Sequence, residues 1–425
     1  MNYSSSLEFA QQMDQKDPLK EYRKQFYIPQ INGKDALYFT GNSLGLQPKS
    51  VKNAIDVELR DWANLGVEGH FYGTNPWFSY HEILTKNMAA VVGAKENEVV
   101  LMGSLSTNLH LLLVSFYQPK GKRVKIICEA KAFPSDQYIL ESHVSYHGLD
   151  PKEVIVEIAP RAGEELIREE DVLTKIEELN EELAVVMIGG VNYYTGQLFD
   201  MEKITKAAHQ VGAKAGFDLA HAAGNINLKL HDWKVDFAAW CTYKYLNSGP
   251  GGVAGIYIRE DHAKDKSLQR FAGWWGHNKE ERFKMEKVFD PIPTAEGWQL
   301  SNAPVLLMAS LKASLAIFAE AGMERIGVKR DLLTAYLEYL LDDISLRNEH
   351  VSFELITPKD KKYRGAQLSI AARGQGKVLF DEISKKGVVA DWREPNVIRV
   401  APTPLYNSFE DCFWLAKTLE ESLEN

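Results

Sequence analysis

A lysine attacks a carbonyl only as a neutral amine, and desolvation at the end of a buried strand favours that form. Lys244 fits the description: it follows the apolar run 237–242 and precedes a glycine-rich stretch that ends at Gly252. That is the setting of a Schiff-base nucleophile. A lysine snorkelling out of a strand end is the ordinary alternative. Upstream, Asp218 closes a second apolar run, 214–218, and His221 follows three residues later. An aspartate at a strand end neighbouring that of the lysine can keep a pyridine nitrogen protonated, so that the ring accepts electrons from a carbanion. A helix N-cap is the plainer fate for Asp218, and a satisfied core histidine for His221.

An amine and a carboxylate so placed suit pyridoxal 5'-phosphate, whose phosphate needs backbone donors. The stretch from Met102 to Asn108 supplies small hydroxyl residues ahead of an apolar helix predicted over 109–117. A helix N-terminus of that kind is an anion site, although ordinary capping uses the same residues. Arg399 stands inside the apolar strand 397–400. A guanidinium there must find an anion, either a substrate carboxylate held by two parallel hydrogen bonds or a structural salt bridge. Glycine-flanked aromatic tracts at 69–73 and 273–277 suit binding walls or plain packing. The letters of 249–254 fit a dinucleotide turn, but a strand follows rather than a helix, and Gly376-Lys377 lacks the upstream glycine of a P-loop. Asp218 and His221 have no further ligands at useful spacing, so no metal site is expected.

These residues must be held by a large scaffold. The chain has 425 residues, 45% of them hydrophobic, which excludes a disordered or disulfide-stapled protein. Its net charge of −9 and the lack of a basic block argue against nucleic acid or anionic membrane as partners. No stretch is long and apolar enough for a signal core or a membrane span, and three scattered cysteines fit a cytoplasmic protein. Runs at 124–128, 184–188, 214–218, 237–242 and 253–258 predict buried strands, with a crossover helix over 202–211 and an early amphipathic helix from Val51. Strand–helix–strand units of this kind make an α/β domain built on a mainly parallel sheet, with ligands beyond the carboxyl ends of its strands. A helix around 305–321 is expected to leave that sheet. Strands at 352–356, 367–371, 388–391 and 397–400 then form a smaller α+β C-terminal domain. The resulting division is a segment 1–50 that joins the small domain, a large domain 51–304 and a small domain 305–425.

The segments 38–48, 129–136, 194–197, 216–224, 241–252, 273–277, 282–285, 301–304 and 398–408, in that order, resemble the kynureninase family of fold-type-I pyridoxal-phosphate enzymes. The likeness runs from about residue 38 to 410 and implies a role for each matching residue. Lys244 would bind the cofactor covalently, while Tyr243 would hydrogen-bond the phosphate and relay a proton. Leu105 and Ser106 would hold the phosphate. Phe133 would stack on the pyridine ring, with Pro134, Ser135 and Asp136 completing that wall. Asp218 would pair with the ring nitrogen, and His221 would lie beside it. Trp274 and Asn302 would reach phosphate and substrate from the second subunit of a homodimer. Arg399 would clamp the substrate carboxylate, and Ser43 and His70 would line the substrate pocket. One departure is visible: Gly189 stands where the family pattern leads one to expect a serine.

The implied activity is hydrolysis of kynurenine and of 3-hydroxykynurenine, a step of tryptophan breakdown or of NAD synthesis. Polar groups at His70, Ser301 and Asn302 suit a 3-hydroxyl substituent. The competing readings are a cysteine desulfurase, an aminotransferase, or a non-catalytic protein of the same fold. A desulfurase needs a mobile loop cysteine, whereas Cys128 and Cys241 fall in apolar strands and Cys412 in a late helix.

Overall fold

The computed structural model describes residues 2–347, 353–372 and 376–423. Seven strands form the main sheet: β1 (Val99–Leu101), β2 (Lys125–Glu129), β3 (Ile155–Ile158), β4 (Leu183–Gly189), β5 (Lys214–Asp218), β6 (Phe237–Trp240) and β7 (Gly255–Ile258). Their spatial order is β1-β7-β6-β5-β4-β2-β3. β7 pairs antiparallel with both neighbours, and the other inner pairings are parallel. Crossover connections such as the helix Met201–Gln210 between β4 and β5 make this a doubly covered α/β sheet.

Period-two alternation assigns neighbouring residues to opposite faces. Ile126, Val185, Met187 and Phe237 pack with Leu109, Leu112 and Ile139 on one side of the sheet. Ile127, Val186, Ile188 and Phe217 pack with Leu84, Met88, Ile204 and Leu315 on the other. Both faces are apolar, so the strands read as continuous hydrophobic runs. Polar residues are left to the strand ends.

The helix Val305–Ala321, expected to leave the sheet, instead buries Met308, Leu311, Leu315 and Phe318 in the large core. Its apolar residues surround much of its circumference, and such a helix must be enclosed. The smaller unit contains β8 (Glu354–Leu355), β9 (Leu368–Ala371), β10 (Asp391–Arg393) and β11 (Val397–Val400), in the order β8-β9-β11-β10. The run expected as one strand over 388–391 is divided: Val388–Val389 pairs in parallel with Leu37–Tyr38, and β10 begins at Asp391. Of the strand expected over 352–356, Ser352 lies outside the described residues. The helix Leu7–Lys16 adds Ala10 to the small unit's core, together with Phe39, while Leu19, Tyr22 and Leu46 belong to the large one. No single described helix is long and apolar enough to cross a membrane.

Candidate active site

Glu129, Gly189 and Asp218 end the adjacent strands β2, β4 and β5, with Gly189 directly opposite Asp218 in the sheet register. β6 stops at Trp240 rather than running to Thr242, because Thr242 turns inward. Its hydroxyl is 2.6 Å from both Ser248 Oγ and the Val253 carbonyl oxygen. Lys244 therefore sits on a turn beyond the strand. That turn is seated from below by the helix Val305–Ala321, whose Ser310 and Ser314 hydroxyls donate to the carbonyls of Ser248 and Leu246 at 2.6 Å. Gly249 and Gly251, at φ 88° and 69°, take it through left-handed backbone that other residues adopt only with strain.

Ser43, Leu105, Ser106, Phe133, Ser135, Asp136, Asp218, His221, Tyr243, Lys244 and Arg399 all line one cavity of about 360 Å³. Asn42, Glu129, Tyr193 and Arg393, which sequence reasoning missed, line it too. Lys244 Nζ lies 3.0 Å from His221 Nε2 and over the Phe133 ring, 5.9 Å from its centroid. His221 occupies a turn rather than a helix, and its Nδ1 is buried without a hydrogen-bond partner. Burial, then the positive charge of Lys244 and of Arg399, holds its imidazole well below the usual range, hence neutral.

Asp218 accepts a hydrogen bond from the Ala220 amide at 2.7 Å, which closes a turn; no helix begins there, so the N-cap alternative does not apply. Burial raises its carboxyl, against the Ala220 amide and the Lys244 charge. Asp136 is raised as well, by burial and then by the negative charge of Asp218 beside it. Burial also pushes the Tyr243 phenol up, so it remains a donor. Arg399 is fully buried; its guanidinium contacts Asp391 and the Tyr193 carbonyl, yet it borders the cavity. Burial lowers it to about 10, still cationic at neutral pH.

The predicted phosphate turn shifts by four residues. The helix is Leu105–Phe116, so Leu105 and Ser106 form its first turn rather than precede it. Ser104 gives no side-chain cap; its hydroxyl pairs with Thr107 at 3.0 Å, leaving the first amides to a ligand. Asn108 fixes the turn from inside, donating to the Met102 carbonyl at 2.8 Å. Pro134 does not line the cavity; it is the first residue of the helix Pro134–Tyr146, where its fixed φ is favourable.

His70, Trp274 and Asn302 lie outside the cavity. His70 packs edge-on to Trp77 with ring centroids 5.4 Å apart, Trp274 donates to the Arg282 carbonyl at 3.0 Å, and Asn302 is exposed. Among the described residues one group could hold a cation, His81 with Glu82 and Glu296, but Lys279 Nζ already bridges the two carboxylates at 2.8 and 2.7 Å.

The donor set fits pyridoxal phosphate: uncapped helix amides for the phosphate, buried acids for the ring nitrogen, an aromatic wall, and an amine, all lining one cavity. Residues 37–370 match the aminotransferase class-V family. The fold is shared with a cysteine desulfurase from Thermococcus onnurineus NA1, at TM-score 0.76 and 19% identity over 95% of this chain and 98% of that one. It is shared also with the C-DES K223A mutant carrying glycine covalently linked to its PLP cofactor, at TM-score 0.75 and 15% identity over 93% and 98%. The chain is thus a fold-type-I enzyme whose cofactor is pyridoxal 5'-phosphate.

Its particular family is narrower. Residues 329–419 match the kynureninase C-terminal domain. Kynureninases from Flavobacterium psychrophilum and Myxococcus xanthus are 57% and 51% identical, covering 100% and 98% of this chain and 100% and 97% of their own. That from Nematostella vectensis is 48% identical over 96% of this chain and 91% of its own. The chain belongs to the kynureninase family of hydrolases. The desulfurase reading, which the fold alone would allow, is not favoured: all three cysteines are buried, and none lines the cavity.

Proposed function

We propose that the enzyme hydrolyses the Cβ–Cγ bond of L-kynurenine, and of 3-hydroxy-L-kynurenine, to give L-alanine and anthranilate or 3-hydroxyanthranilate. The observation that carries this reading is the Lys244 amine, 3.0 Å from a neutral His221 in a cavity shared with Asp218 and Arg399. When bound, pyridoxal phosphate supplies the electron sink for carbanionic chemistry next to an amino group. The residues supply the rest. Lys244 moves the α-proton of the amino acid, and His221 leaves its amine free to do so by staying neutral. Asp218 would keep the ring nitrogen of the bound cofactor protonated, with Asp136 beside it. Arg399, assisted by Arg393, orients the substrate carboxylate. Tyr243, kept protonated by burial, delivers a proton to the carbon released as alanine.

A homodimer belongs to the same reading. Tyr27, Leu44, Leu306 and Leu307 are exposed apolar residues beside the turn after Lys244, and Trp274 is 45% exposed. Contact with a second copy would cover such a face and bring Trp274, Asn302 and His70 to a cavity their own chain does not offer them. Three free, buried thiols suit a reducing, cytoplasmic location. A boundary of the small domain after Ala321, rather than at 305, is the reading supported by burial of the helix Val305–Ala321 in the large core.

Product analysis tests the function. Purified enzyme given kynurenine should release anthranilate and alanine in equal amounts, and 3-hydroxykynurenine should be cleaved with a kcat/KM at least equal. Lys244→Ala should abolish turnover with the circular-dichroism spectrum unchanged. Keto-acid products, or an active Lys244→Ala variant, would refute the assignment.

A further inference from the structure

Gly189 and Glu129 form a matched pair on the cavity floor. Glu129 Oε2 accepts the Gly189 amide at 2.9 Å. Its Oε1 lies 2.8 Å from the point where a β-carbon at position 189 would stand, closer than real β-carbons come to a neighbour. The carboxyl therefore fills the volume that a side chain at 189 would enter, in the strand position opposite Asp218. It is 5% exposed and borders the cavity with Asp136 and Asp218. Three acids so close cannot all ionise. Burial, opposed by the Gly189 amide and reinforced by the Asp218 charge, lifts Glu129 to about 7.

We propose that Glu129, in its protonated form, is a positioning residue that donates a hydrogen bond into the cavity from the place where position 189 has no side chain, and so orients the cofactor. This rests on the cavity holding pyridoxal phosphate as argued above. An ionised Glu129 would set a further negative charge beside Asp218 and lose its donor. The bound cofactor should accordingly report the protonation of Glu129, although Glu129 takes no part in covalent chemistry.

The test uses the holoenzyme and the apoenzyme titrated with pyridoxal phosphate. Wild type should show a change in the visible absorption of the bound cofactor centred near pH 7. Glu129→Gln keeps a donor of the same shape, so it should bind the cofactor within about threefold of wild type and lose that pH-dependent change. Glu129→Ala should weaken cofactor binding about tenfold or more. Gly189→Ala, which displaces the carboxyl, should weaken binding in the wild-type background but add little to Glu129→Ala. The inference is overturned by a wild-type spectrum that is flat across this range, by a transition that persists in Glu129→Gln, or by a Glu129→Ala variant that binds as wild type does. Should Glu129→Ala not fold, the Glu129→Gln spectrum decides. A wild-type protein that binds pyridoxal phosphate and cleaves kynurenine while these variants behave normally sinks this inference alone. A wild-type protein that does neither sinks the functional reading.

Discussion

Two buried aspartates flank the same pair of strands and should fail in opposite ways. Asp218 ends β5 at the cavity; Asp236 immediately precedes β6, at the opposite, amino-terminal end of the parallel strands. Asp236 is fully buried and takes hydrogen bonds from His209 at 2.8 Å, His262 at 2.6 Å and the Ala215 amide at 2.8 Å, with Arg259 3.2 Å away. Burial alone would raise its carboxyl; the two histidines and the amide outweigh that and hold it well below the ordinary range. Asp236→Asn keeps the shape and removes the charge. Breaking a buried pair costs about 3–5 kcal/mol, and the lower end applies because His209 and Lys214 are partly exposed and can rehydrate, so about 3 kcal/mol is expected. A depressed folded pKa contributes stability above the unfolded aspartate value of about 3.9 and loses it as pH falls below. The gap between wild type and variant should therefore be full at pH 7 and close in acid. Asp218 has the reverse sign. Its raised carboxyl means that ionisation costs stability as pH rises, so Asp218→Asn should be no less stable than wild type at pH 7 when cofactor-free, yet catalytically dead. Urea unfolding of the cofactor-free proteins, followed by circular dichroism, should show a midpoint lowered by about 1 M for Asp236→Asn, with kcat of the holoenzyme unchanged. Coincident midpoints for wild type and Asp236→Asn, or a loss of kcat in that variant at temperatures where it is folded, would refute the reasoning.

Arg399→Lys keeps a positive charge but loses the planar fork, so kcat/KM for kynurenine should fall about 10–100-fold, mostly through KM, in steady-state assays. Ser314→Ala strands the Leu246 carbonyl beneath the lysine turn and should cost about 1–2 kcal/mol in unfolding experiments, with faster loss of cofactor on dilution.

How much of this was legible from the residues depends on whether a position carries a periodic or chemical mark. Five of the seven strands of the main sheet are marked by unbroken apolar runs because both their faces are covered, the three-residue edge strand Val99–Leu101 being too short for such a mark, and the helix 305–321 is marked by the same apolarity. Apolarity on every side of a helix requires enclosure, which is why 305–321 stays in the large core instead of leaving the sheet. Ile155–Ile158, an edge strand with one exposed face, has a weaker pattern and escaped notice. Lys244, Asp218 and Arg399 stood out as charged residues in apolar surroundings. Glu129 had the same signature, one residue beyond the run 124–128, and the rule that ligands gather beyond strand ends should have singled it out. Tyr193, Arg393 and Asn42 had no comparable mark, because they come from loops and an edge strand whose approach to the cavity is decided by tertiary packing. Trp274, Asn302 and His70 are the limiting case. The glycine-flanked aromatic tracts around His70 and Trp274 fit a binding wall and plain packing equally, and within one chain none of the three residues lines the cavity. Their roles rest on the resemblance, and contact between two copies, as proposed for Trp274 and Asn302, would be a property of association that local sequence pattern does not encode.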